Sequence, residues 1–139
     1  MVAFNKFETF SEHLSEKVHN LDTDTLKIYL SNTAPNLATH TVKADIAEIT
    51  AQNGYASGGV DTQNATSRSG AVTSITGVDV TITASGGSFG PFRYVILYND
   101  TPTSPADPLI GYWDYGSAIS VNDTESFVTD FGASMFTVT

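Results

Sequence analysis

Phe92-Arg93-Tyr94-Val95-Ile96-Leu97-Tyr98 is the densest apolar run in the chain, bounded by Gly90-Pro91 on one side and Asn99-Asp100 on the other. Aromatic and β-branched residues between turn formers predict a β-strand. Strict alternation puts Phe92, Tyr94, Ile96 and Tyr98 on one face and Arg93, Val95, Leu97 and Asn99 on the other. Both faces carry large apolar groups, so the strand is expected to be central and covered on both sides. A second aromatic run, Leu109-Ile110-Gly111-Tyr112-Trp113-Asp114-Tyr115, follows a loop holding Pro102, Pro105 and Pro108. The two runs are expected to pair as the hub of a β-domain.

Outward from that hub, the chain reads as short strands. Leu26, Ile28 and Leu30 alternate with polar positions, predicting a first strand, and Ser31–Asn36 a loop. Thr41–Ile49 fits a short helix with Thr41 as its N-cap, though an extended reading is also open. The Thr- and Ser-rich stretch 60–84 predicts strands near 60–68, 71–76 and 78–84, with Gly77 between the last two. After Tyr115, Gly116-Ser117 reads as a turn. Ala118–Val121 and Ser126–Phe131 read as a hairpin around Asn122-Asp123-Thr124, and Met135–Val138 as a closing strand. Many short strands at roughly 8–12-residue spacing predict a mostly β chain, an antiparallel, jelly-roll-like sandwich.

The N-terminal part differs. Phe4, Phe7, Phe10, Leu14, Val18 and Leu21 recur every three or four residues, with Lys6, Glu8, Glu12, Glu16 and Lys17 mostly between them. This predicts an amphipathic helix over 4–21, ended by Asn20 and Asp22-Thr23-Asp24. The expected organisation is an N-terminal helical arm over 1–24 and one β-sandwich over 25–139. The phenylalanine stripe either packs on its own domain or docks on a partner.

Charge narrows the function classes. Lys and Arg number 6 and Asp and Glu 15, a formal net charge of −9, and no Lys or Arg follows Arg93. Binding to nucleic acid or to an anionic membrane would need an excess of cations, where carboxylates outnumber them; a basic partner fits better. With no cysteine there is neither a disulfide nor a thiolate metal site. No apolar run reaches the roughly 18 residues of a membrane span, and the N-terminus has no signal-peptide pattern, so synthesis and folding in a cytoplasm are expected.

Catalytic chemistry finds little support. His13 and His19 lie six positions apart, on opposite sides of a helix, and His40 lies in a loop; all three read as exposed bystanders, and no metal ligand set is expected. Asp22-Thr23-Asp24 lacks the glycine and closing glutamate of a calcium loop and reads as a turn device. Gly86-Gly87-Ser88-Phe89-Gly90 precedes a strand, where a phosphate loop would precede a helix. Asp114, inside the aromatic strand, is the best candidate for an acid–base carboxylate, against a plain strand-end role. Tyr112, Trp113 and Tyr115 could form a sugar-stacking platform, or simply core. No cofactor is expected.

Three stretches carry a family resemblance. They are Leu26–Pro35 (LKIYLSNTAP), Gly54–Val60 (GYASGGV), and Gly86–Tyr94 (GGSFGPFRY) running through Leu97–Asp100 (LYND) to Leu109–Gly116 (LIGYWDYG). In that order the chain, over roughly 24–139, resembles small structural proteins of the head region of tailed bacteriophages, among them capsid decoration, or cement, proteins. The resemblance implies a jelly-roll-like domain without catalytic activity. It implies binding to the outside of the assembled capsid, bridging neighbouring major capsid subunits. A homo-oligomer is expected, a dimer ahead of a trimer, located on the virion exterior. The first candidate contact is the stripe Phe4, Phe7, Phe10 and Leu14. The alternative is a glycan- or receptor-binding module of a phage head or tail fibre, using Tyr112, Trp113 and Tyr115.

Overall fold

The apolar run around Phe92–Tyr98 becomes the middle strand of the main sheet. The computed structural model describes residues 3–139. In chain order its elements are β1 (Phe4–Lys6), α1 (Glu8–Ser15), β2 (Leu26–Ser31), a 3₁₀ turn (Lys43–Asp45), β3 (Val60–Asp61), β4 (Ala65–Ser69) and β5 (Val72–Thr76). There follow β6 (Thr81–Thr83), β7 (Phe89–Asn99), β8 (Leu109–Val121), β9 (Ser126–Val128) and β10 (Phe136–Val138). The chain is mostly β, with antiparallel sheets and one short helix near the N-terminus. The main sheet has the order β1-β8-β7-β2-β3; a second has β10-β5-β4, and β6 pairs with β9. Every pairing is antiparallel.

Burial explains the layering. One face of the main sheet offers Leu26, Ile28, Leu30, Phe89, Phe92, Val95, Leu97, Ile110 and Trp113. They meet Ile75, Ile82, Phe127 and Phe136 from the two smaller sheets, which makes the sandwich. The opposite face carries Tyr29, Tyr94, Ile96, Tyr98 and Leu109, covered by Phe7, Ile46 and Leu37. The hub strand is therefore central and covered on both sides, as its composition requires.

Its alternation is broken around Phe92. Phe92 lies with Val95 and Leu97, on the face opposite Tyr94 and Ile96. Phe92 pairs with Ile119 and Tyr94 with Asp114, so two steps along β7 match five along β8. This bulge absorbs the extra residues and flips Phe92 inward. The same bulge corrects the turn expected at Gly116-Ser117: Gly116 takes φ +86° and β8 runs on to Val121. The expected hairpin of 118–121 with 126–131 does not form; β9 pairs with β6 instead. The helix expected over 41–49 shrinks to the 3₁₀ turn: the Asp45 carboxylate caps its start, accepting the Thr41 and Val42 N–H groups at 2.8 and 3.2 Å, but the backbone turns extended at Ile46 (φ −125°, ψ 117°) and ends it.

The helix expected over 4–21 is also shorter, and the segment is no separate arm. Residues 4–6 are an edge strand against Trp113, Tyr112 and Gly111, and only Glu8–Ser15 is helical. The helix stops because Lys17 takes φ +65°. Lys17 N–H donates to the Leu14 carbonyl at 3.3 Å and Val18 N–H to the His13 carbonyl at 2.9 Å, the double bond pattern of a Schellman end. Glycine normally occupies that left-handed position; a lysine there bears a Cβ clash. Lys17→Gly should therefore stabilise the protein by about 1 kcal/mol, read as a higher denaturant midpoint at unchanged slope. An unchanged or lower midpoint would show that the left-handed residue carries no strain.

Candidate functional site

The left-handed residue at the end of α1 turns the chain back under the helix, and this builds the most structured polar cluster near a cavity. His19 folds against Phe10, with ring centroids 5.2 Å apart, and against His13 at 6.1 Å. It is 5% exposed. Asn99, at the end of β7, donates its side-chain N–H groups to His19 Nδ1 at 3.0 Å and to Asp24 Oδ2 at 2.8 Å. Thr101 N–H donates to Asn99 Oδ1 at 3.1 Å, which fixes the amide orientation. His19 Nδ1 is then the acceptor, and the proton of the neutral ring sits on Nε2. That nitrogen is buried and has no partner among the described residues, as is His13 Nδ1.

Beside this cluster lies a groove of about 490 Å³ between the end of α1 and the β4–β5–β10 sheet. Leu14, Val18, Ile75 and Val138 give it an apolar floor, and Asp22, Asp24 and Thr66 a polar lip. Asp22 Oδ1 accepts from the Thr66 hydroxyl at 2.9 Å. Asp24 Oδ2 also accepts the Asn20 N–H at 2.9 Å, so Asp22-Thr23-Asp24 is the turn device its sequence suggests. A smaller groove of about 290 Å³ lies on the other flank of the helix, towards Thr137–Thr139. On the helix itself, Glu12, His13 and Glu16 each offer a ligand atom within 4.8 Å of the others, the one trio among the described residues able to hold a divalent cation.

Two expectations about histidines are thus corrected. His19 is buried, where an exposed bystander was expected. His13 and His19 meet, where a continuous helix would have separated them, because the helix ends before His19.

The expected site residues are dispersed or buried. Phe7 and Phe10 are core, so they cannot form an exposed contact stripe. Phe4 is half-buried, stacked on Phe136 at 5.0 Å and edge-on to Trp113 at 5.2 Å; Leu14 is half-buried in the groove wall. The expected aromatic platform does not exist. Trp113 is 1% exposed in the main core, Tyr115 packs edge-on against Phe127 on that side, and Tyr112 points to the opposite face against Phe7 and Tyr94. Alternation along β8 separates Tyr112 from Trp113. Asp114 is held by Arg93 at 2.8 and 3.2 Å and by the Gly116 N–H at 2.8 Å; the Arg93 guanidinium foremost keeps its carboxyl below the usual range. That favours a fixed anion over an acid–base group. No helix among the described residues is long and apolar enough to cross a membrane.

Comparison with protein-family models, with curated protein sequences and with solved structures gives no match to this chain.

Burial, reinforced by the neighbouring His13, pushes the His19 imidazole from 6.5 down to about 4, against the pull of Asp24. The unfolded chain therefore binds more protons between those values, and stability falls as pH drops through that window. The expected loss from pH 6.5 to 4 is on the order of 3 kcal/mol. Asp45 and Asp114, both held low, act only at lower pH. His19→Asn keeps an acceptor for Asn99 and removes the proton site, so it should flatten the pH dependence of the denaturation midpoint; an unchanged slope would assign the effect elsewhere. For the phenylalanines, Phe10→Ala should cost about 3–5 kcal/mol, because its ring fills the space under α1. A variant of near wild-type stability would return Phe10 to the surface.

Proposed function

We propose that this chain is a structural protein of a tailed-phage virion, which binds the outside of the assembled capsid and stabilises it by bridging neighbouring major capsid subunits. What carries the reading is where the resembling stretches fall. Leu26–Pro35, Gly86–Asp100 and Leu109–Gly116 supply the adjacent strands β2, β7 and β8. Gly54–Val60 lies against them: the Tyr98 hydroxyl donates to the Gly58 carbonyl at 2.6 Å, and Leu30 N–H to the Tyr55 hydroxyl at 3.0 Å. The likeness is thus to one packed unit, not to scattered strands.

The exterior supports the same reading. Lys27, Lys43 and Arg93 are engaged by Asp100, Glu48 and Asp114 at 3.0, 2.9 and 2.8 Å. Most of the remaining carboxylates face water. Such a surface recognises a basic patch on an assembled shell, and the repetition of the shell multiplies each modest contact. Because the protein binds the assembled shell and not free subunits, it stabilises by mass action.

Mixing the full chain with capsids of its own phage prepared without it should give saturable, stoichiometric binding and a higher shell-melting temperature. Raising salt from 50 to 500 mM should weaken binding roughly tenfold or more, as exposed charge pairs are screened. Capsids that neither bind the protein nor gain stability would sink the proposal. Binding indifferent to salt would remove its electrostatic part.

A further inference from the structure

Free edges of β-sheets invite pairing, and natural proteins commonly keep them short. The other edge strands here follow that rule: β1, β6, β9 and β10 have three residues and β3 has two. β4 has five, all but Thr66 exposed, with neither proline nor bulge. The turn between β4 and β5 has two residues, Gly70 and Ala71, with Ser69 paired to Val72. A two-residue turn makes that closing pair hydrogen-bonded, so Ala65, Ser67 and Ser69 point their N–H and C=O groups at β5. The Thr76 hydroxyl donating to the Ala65 carbonyl at 3.3 Å agrees with this. The backbone groups of Thr66 and Arg68 therefore face the open edge.

Charge singles out the same strand. In a chain of net charge −9, Arg68 is the one charged residue between Asp61 and Asp79. Its guanidinium has one hydrogen bond among the described residues, to the carbonyl of its own Gly70 at 2.9 Å. Thr66 and Arg68 share the groove-side face of the strand, and Thr66 holds Asp22.

The geometry points to β4 as a self-recognition edge, through which two copies of this chain pair antiparallel about a two-fold axis at Ser67. In that register Thr66 of each copy exchanges backbone hydrogen bonds with Arg68 of the other. Arg68 then stands opposite the partner copy's Thr66, on the same face, beside the carboxylate of Asp22 that this threonine holds. Symmetry makes the ion pair twice, and β10-β5-β4 becomes a six-stranded sheet across the axis. Its outer face carries Ala65, Ser67, Ser69, Val72, Ser74 and Thr76, without a charge. The inference stands apart from the capsid reading: a dimer that binds no shell leaves it intact, and shell binding by a monomer sinks it alone.

Sedimentation equilibrium of the full chain should show a species of twice the 14.8 kDa chain mass. The interface is small, so concentrations up to about 1 mM are needed. Arg68→Asp and Asp22→Arg should each give monomers, and the double variant should restore the dimer. A monomer throughout, a dimer indifferent to either single variant, or a double variant that stays monomeric overturns the pairing. A covalent test tolerates any loss of stability in those variants. The chain has no cysteine, and Ser67→Cys places its only thiol beside its symmetry mate, at a Cα separation that a disulfide can bridge. Ser69→Cys, on the same strand and face, is matched to the partner copy's Ala65. Under mild oxidation Ser67→Cys should form covalent dimer roughly tenfold faster than Ser69→Cys; equal rates would overturn the register.

Discussion

Strand β7 is apolar on both faces, and water has to be kept from both. The first face is covered in the ordinary way, by the smaller sheets of the sandwich. The second has no sheet to meet, and Phe7 with the segment between β2 and β3 is laid over it instead. Such a loop brings polar groups, backbone and side chain, into contact with a core, and each needs a partner. Glu48 serves three: it accepts from the Tyr55 hydroxyl at 2.6 Å, from the Gly58 backbone N–H at 2.9 Å and from the Lys43 ammonium at 2.9 Å. Lys43 in turn lies 4.7 Å above the Tyr29 ring, and the Tyr29 hydroxyl donates to the Ile46 carbonyl at 3.2 Å. Burial raises the pKa of the Tyr29 and Tyr55 hydroxyls, so they stay neutral donors. Tyr29 and Tyr98 of the second face are thus half core and half clamp, and Tyr55, which stacks on Phe89 in the first core, serves the same way at the sheet's edge.

That constraint was legible in the residues of 92–98, as was the pairing with 109–115, because both are properties of one strand's own side chains. What depended on a neighbour was not legible. Phe92 sits on the unexpected face because β8 carries surplus residues opposite it, and strand alternation holds only while the register holds. Gly116 reads as a turn former and is one only locally; the pairing with β7 continues past it. The end of α1 was hidden for a similar reason. Its left-handed position holds Lys17, where sequence reading looks for glycine, and the periodicity of Val18 and Leu21 continues into a segment that is no longer helical.

The same missed stop concealed the histidine cluster. With a helix through residue 21, His13 and His19 point apart; with the chain reversed at Lys17, His19 reaches Asn99 on the hub strand. The signal that could have found it is the polar residue Asn99 at the end of an apolar strand, which in a fully covered position needs donors and acceptors from elsewhere. The aromatic residues failed as site markers in the opposite way. Tyr112, Trp113 and Tyr115 are prominent in sequence because the core is built from them, and a strand deals them alternately to two faces.

Surface function is therefore to be sought where the sandwich has unmet backbone groups, away from its large side chains. Carboxylates keep most of the exterior hydrated and mutually repulsive, and two copies of a chain this acidic approach each other at a cost. Repulsion is weakest over the Thr- and Ser-rich strands β4 and β5, whose only charge is the cation Arg68. A surface divided in this way has two uses that do not compete. On the two proposals the acidic regions would face a basic partner and the carboxylate-free edge a second copy, so the two would not compete for one surface. On the proposed pairing, the composition of 60–84, rich in small hydroxylated residues, has a physical rationale beyond strand propensity: between Asp61 and Asp79 it puts no carboxylate on the edge that a second, equally acidic copy would approach.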